Sequence, residues 1–173
     1  MFWKRRKRGK VQEDAMHPRF GLVRLEGYVW EPARKIKISL WDREFEIAIW
    51  FEGEDKDGQV RSISGLQEQS YDKFLKIMKT EKERIQENIM KDVHFKNVQE
   101  AKEASIPKHV HFSRKGECAL FFENKMCEKE YEDELDTGFA IVLLPKIEYI
   151  TSEYCYDCMS GRENTDQIQE FKN

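Results

Sequence analysis

The spacing in this chain that most directly suggests chemistry is Cys155-Tyr-Asp-Cys158, because two thiolates separated by two residues can share one zinc ion. Cys118 and Cys127 could complete a tetrahedral site, but nine positions separate them and Cys118 falls inside an apolar, strand-like run. Structural zinc sites usually show two tight knuckles. The plainer expectation is that the four cysteines are ordinary thiols in a reducing compartment, where buried thiols act as small apolar fillers. A thioredoxin-like redox role fits less well still, since that motif belongs at a helix N-terminus after a parallel strand. His109 and His111 lie two apart, so on a strand they share a face and could ligate a metal together. They lack a third ligand, and a wet surface pair beside Lys108 is the simpler reading. His17 and His94 each stand alone. Nucleophile elbows, phosphate loops and dinucleotide-binding glycine patterns are absent, so no catalytic residue and no cofactor is expected.

A different kind of chemistry is carried by charge. Between the apolar runs Cys118 to Phe122 and Phe139 to Leu144, the residues Glu128, Glu130, Glu132, Asp133, Glu134 and Asp136 face only Lys129. Crowded carboxylates repel and are relieved by water, salt or a cationic partner. Such density makes a field rather than a tuned acid and base, because acid–base catalysis needs two groups whose environments push their pKa values apart. Glu130, Glu132, Asp133, Glu134 and Asp136 are therefore the expected contact surface for something basic. A solvated connecting loop is the alternative, since charge runs are usually just wet.

Charge balance agrees with that reading. The first ten residues hold six bases and no acid; without them, 24 bases face 33 acids and the net charge falls from -3 to -9. An acidic body disfavours nucleic acid and attracts basic proteins, while the basic tip could touch an anionic membrane surface or RNA. The tip lacks the apolar region of an export signal and no run reaches the roughly 20 apolar residues of a membrane span, so a cytoplasmic location is expected. A chain of 173 residues, 39% hydrophobic, suits one domain able to bury a core without disulfides.

The elements that must position these groups follow from periodicity. Phe20 to Trp30 alternates as a first strand; Ile36, Ile38 and Leu40 make a second; Phe45, Ile47, Ile49 and Phe51 make a third after a turn at Asp42-Arg43. Three antiparallel strands with one wet face need a cover on the other. Ser64 with Gln67 three residues on is a capping box that opens a helix. Tyr71, Phe74, Leu75 and Met78 give it an apolar stripe, which Ile85, Ile89 and Val93 extend past a weak point at Thr80 to Lys82. Val110 and Phe112, then Cys118 to Phe122, Phe139 to Leu144 and finally Ile147, Tyr149 and Thr151 read as four further strands. Trp41 and Trp50 could form a contact surface or pack into the core or its rim. The expected fold is α+β: an antiparallel sheet of about six to seven strands with one long helix, or two consecutive ones, on one face. Residues 1–16 are expected to be a basic, disordered tip, residues 17–159 a single domain, and residues 160–173 a polar tail or short helix.

The order of features, with Ile63-Ser64-Gly65-Leu66-Gln67-Glu68-Gln69 opening the helix and the acidic Glu134-Leu-Asp-Thr-Gly138 turn leading into Phe139-Ala-Ile-Val, resembles a family of small uncharacterised bacterial domains. The likeness covers roughly Phe20 to Tyr154, with loose motifs. Members of that family are suspected immunity proteins of polymorphic toxin systems. The resemblance implies a non-enzymatic protein that neutralises a basic toxin, and it supplies no catalytic residue. The basic tip and the Cys155 to Cys158 motif lie outside it. A zinc-binding domain using Cys155 and Cys158, or a small-ligand-binding domain, is the alternative; metal content of protein purified without chelator separates the first of these.

Overall fold

The computed structural model describes residues 12–126 and 138–151. Along the chain run β1 (Gln12–His17), β2 (Gly21–Glu26), β3 (Val29–Pro32), β4 (Ile36–Leu40) and β5 (Arg43–Glu52), then α1 (Gly65–Thr80), α2 (Lys82–Ile89) and α3 (Val98–Ala104), then β6 (Ser105–Phe112), β7 (Cys118–Asn124), β8 (Gly138–Leu144) and β9 (Glu148–Thr151). The fold is α+β. Its strands form one sheet of nine, in the order β1-β2-β3-β5-β6-β7-β8-β9, with β4 paired to β5 off that path.

The sheet is both larger than the sequence suggests and mixed. β5 pairs with β6 in parallel, from Ala48↔His109 to Phe51↔Phe112, while its neighbours on the other side, β3 and β4, are antiparallel to it. Alternation reveals a strand but not its direction. Here three helices intervene between β5 and β6 and return the chain to the same end of the sheet, as a parallel pair requires.

The added strands come from local turns. The run Phe20 to Trp30 is a hairpin, because Gly27 takes φ +64 and folds β3 back on β2 with Leu25 opposite Trp30. A residue without Cβ adopts that backbone at little steric cost. β1, whose residues 12–16 fall within the stretch expected as a disordered tip, pairs with β2 along its whole length from Gln12↔Glu26 to His17↔Gly21. The β4–β5 turn lies at Trp41 and Asp42, one residue earlier than expected, and both adopt positive φ, 53° and 57°. Paired positive φ suits a two-residue hairpin, but a tryptophan there is unusual. Its indole is 8% exposed and donates an N–H to Ser105 Oγ at 3.3 Å, so burial against the start of β6 holds the turn. Trp41 is thus packed into the core rather than presented as a contact surface.

α1 begins where capping predicts. Ser64 Oγ accepts the Gln67 N–H at 3.2 Å, and Gln67 Oε1 accepts the Ser64 N–H at 2.9 Å. The wholly buried Gln67 does more: its Nε2 donates to the carbonyls of Glu52 and Phe112, at 3.0 and 3.1 Å, tying the helix start to the ends of the parallel pair β5 and β6. The helical stretch breaks at Glu81, whose φ of -119° and ψ of 22° are not helical. Chiefly, α1 packs on β6, β7 and β8, α2 on β8 and β9, and α3 on β6. The core they close also takes in the earlier strands, since Leu40 of β4 and Ile47 and Phe51 of β5 are wholly buried in one cluster with Phe74, Ile85 and Ile89. None of the helices among the described residues is long and apolar enough to cross a membrane.

Phe112 centres the core beneath α1, stacked on Phe51 at 5.1 Å and met edge-on by Phe74 and Tyr71, each at 5.8 Å. A second buried cluster, Ala119, Phe121 and Ala140, occupies the opposite face of the sheet. With both faces buried, β7 reads as a nearly continuous apolar run from Cys118 to Phe122.

Ser64→Ala is expected to lower unfolding free energy by about 1 kcal/mol through loss of the cap. Gln67→Ala should lower it by about 3 kcal/mol, since two buried carbonyls lose their donor. Urea denaturation of the two variants checks the order; equal effects would mean that the strand-end bonds add nothing.

Candidate functional site

Three places gather polar or ionisable side chains. The first is the sheet face opposite the helices. Side chains two apart on a strand share a face, so β6 directs His109 and His111 together to this side. Trp50 of β5 stacks on His109 at 3.7 Å between ring centroids, and Phe121 of β7 stacks on its other side at 4.6 Å. The Trp50 indole donates to Glu31 Oε2 at 3.1 Å, continuing the row onto β3. The two histidines are each 8% exposed, so they are not the wet surface pair that their neighbour Lys108 suggested. Burial penalises the charged imidazolium and holds their pKa values down, at about 3 for His109, with a further push from His111, and about 4 for His111. Both rings are therefore neutral at ordinary pH. Lys108, the extra residue where the β6–β7 register shifts between Pro107 and His109, pairs with Glu123.

The second place is the stem of the acidic segment. The β7–β8 pairing ends at the rung Glu123↔Gly138, so the described residues on either side of the acidic segment lie next to each other in the sheet. Asp92, just after α2 and 5% exposed, accepts bonds there from several directions. Its Oδ1 accepts the His94 N–H at 3.0 Å, meets His94 Nδ1 at 2.8 Å and accepts Asn124 Nδ2 at 3.4 Å; its Oδ2 accepts the Tyr149 hydroxyl at 3.0 Å. Asn124 Oδ1 in turn accepts the Met126 N–H at 3.0 Å. One buried carboxylate thus joins the α2–α3 connection, β7 and β9 at the root of that segment. The carboxylate orients the His94 ring with Nδ1 toward it and Nε2 away.

The third is a groove of about 630 Å³ between the turn from Pro18 to Leu22, the bulge from Pro32 to Arg34, and Tyr71 of α1.

The residues expected to contact a partner, Glu130, Glu132, Asp133, Glu134 and Asp136, lie outside the described residues, as do Cys127, Cys155 and Cys158. Cys118 is wholly buried in the core. Among the described residues, no group of three or more His, Cys, Asp or Glu side chains is placed to hold a metal ion. The Asp92 junction was not foreseen. Asp-x-His at 92 and 94 is a weak local signal; Asn124 and Tyr149 join it only through the fold.

Two outcomes follow. Asp92→Ala should destabilise by about 3 kcal/mol or more, because the Tyr149 hydroxyl and the Asn124 amide lose their acceptor in a buried place; a loss below about 1 kcal/mol in urea titrations would show that water replaces the carboxylate. The buried imidazoles set an acid dependence. The unfolded chain takes up their protons near pH 6.5 while the folded one resists until about 4 and 3, so the stabilisation is complete above 6.5 and is lost as pH falls through that window. The slope approaches roughly 1.4 kcal/mol per pH unit for each imidazole. Unfolding midpoints of the wild type should fall across the window, whereas a His109→Gln, His111→Gln variant should give a flatter profile; parallel profiles would place the acid sensitivity elsewhere.

Compared with known proteins, the chain matches no family model, no curated protein and no solved structure.

Proposed function

We propose that this chain is a non-enzymatic protein-binding domain that captures a basic partner through its acidic segment, in the manner of an immunity protein neutralising a basic toxin domain. The observation that carries this reading is the anchoring of a dense run of carboxylates. Glu128 to Asp136 contains six acids and one base, and the rung Glu123↔Gly138 brings the flanks of that segment together at one end of the sheet. The Asp92 bonds to Asn124 and Tyr149 brace the same end. A charged segment whose flanking residues are fixed loses less entropy on binding than one on a free tail, and a net charge of -9 for residues 11–173 adds long-range attraction for a cation-rich protein.

Electrostatic complementarity of this kind governs encounter rate and register more than final affinity. Glu130, Glu132, Asp133, Glu134 and Asp136 are the contact residues of the proposal. With the full chain as bait in lysate of its native host, a basic protein should be retained in stoichiometric amount at low salt and released at high salt. A variant with these five residues replaced by Ser should retain it poorly and with a shallower salt dependence. Equal retention by the variant would remove the segment from the interface; recovery of the bait alone from both lysates would overturn the protein-binding reading.

A further inference from the structure

The groove beside α1 combines features that the acidic segment does not share. Its floor includes Ile49, 2% exposed, and the partly buried Ile36. One wall is aromatic: Phe20 and Tyr71 meet edge to face at 5.2 Å. The Arg19 guanidinium lies over both rings, 5.1 Å from the Tyr71 centroid and 5.5 Å from that of Phe20. Arg19 is already neutralised by a two-pronged pairing with Asp72, whose second contact, Nη1 to Oδ2, spans 3.2 Å, so it serves as a fixed wall.

Arg34 differs. It lines the same groove, is exposed, and has no ion-pair partner among the described residues. The Tyr71 hydroxyl likewise has no hydrogen-bond partner among the described residues. Burial raises the Tyr71 pKa and outweighs the opposing pull of Arg19 and Arg34, so the hydroxyl keeps its proton and remains a donor. The groove thus offers a flat apolar bed, an unspent guanidinium and an O–H donor within about 630 Å³. That volume is in the range of small-molecule sites, roughly 300–1,000 Å³, which are mostly apolar with a few placed polar groups.

We propose that this groove binds a small organic anion, with its flat apolar body against Phe20, Tyr71 and Ile49 and its carboxylate or sulfonate held by Arg34 and the Tyr71 hydroxyl. The pairing is chemically selective. A neutral aromatic leaves Arg34 unused, and inorganic phosphate leaves the apolar bed unfilled, so each should bind more weakly than a molecule with both parts. This site is independent of the acidic segment, and its ligand carries the opposite charge to the partner proposed there.

The test is titration of the full chain with two probes: 8-anilinonaphthalene-1-sulfonate, followed by fluorescence, and 2-naphthoate, followed by calorimetry. Both should bind saturably with one site per chain. Arg34→Gln should weaken both by about tenfold, the size of one charge-assisted hydrogen bond, and Tyr71→Phe by several-fold. Arg34→Lys, which keeps the charge without the fork, should fall between wild type and Arg34→Gln. Val93→Ser, at an 88% exposed position outside the groove, should bind as wild type. Urea midpoints within error of wild type confirm that the variants are folded, as expected for an exposed arginine. Non-saturable binding, binding of naphthalene as tight as 2-naphthoate, or unchanged affinity in both Arg34→Gln and Tyr71→Phe would overturn the proposal.

Discussion

The parallel pairing of β5 with β6 is the constraint on which the rest of the structure depends. Parallel neighbours cannot be joined by a tight turn, so the chain must leave the end of β5 and return over the sheet before β6 begins. α1, α2 and α3 occupy that return, and their arrival decides which strands are roofed. Gln67 secures the geometry at the point where the crossover departs. One side chain amide caps the helix and binds carbonyls from the ends of both parallel strands, so helix start and strand pairing are specified together. Removing such a group leaves several buried acceptors without donors at once, which makes the arrangement cooperative.

The two faces of the sheet present different environments. Over β6 to β8 the roofed face holds the large aromatic core around Phe112 and the stacked pair Phe122 and Phe139, 4.9 Å apart. The reverse face buries His109 between Trp50 and Phe121, where a flat neutral ring fills the space of an aromatic. Beside α1, near β2 to β4, lies an open groove edged by Arg19 and Arg34. Ile49 lies at the floor of that groove and Tyr71, on α1, forms its wall.

Charge is distributed along the fold rather than averaged over it. Near the rung Glu123↔Gly138 that flanks the acidic segment in sequence, a buried carboxylate, Asp92, ties Asn124 of β7 to the α2–α3 connection and to Tyr149 of β9. The groove residues Arg34 and Tyr71 and the acidic run from Glu128 to Asp136 lie far apart in the chain, so the two proposed ligands of opposite sign would not compete for the same residues. Screening over a Debye length of about 8 Å at physiological salt keeps exposed fields of this kind largely independent once they are farther apart than that.

Much of the secondary structure was legible because it rests on local physics. The Ser64 and Gln67 capping box marks the first turn of α1, and Phe45, Ile47, Ile49 and Phe51 at every second position mark β5; both depend only on residues near in sequence. The acidic run from Glu128 to Asp136 and the apolar runs beside it are likewise plain in the chain. Strand direction, the hairpin at Gly27, the burial of His109 and His111 and the burial of Trp41 were not. Each depends on which distant segment packs alongside, and alternation carries no information about that partner. The junction at Asp92 makes the same point: its ligands come from positions 94, 124 and 149. The sequence by itself determined the α+β composition, the start of α1 and the sign of the charge on each segment. Only the tertiary structure decided which side chains share a site, because that follows from long-range strand order and from where a helical layer ends.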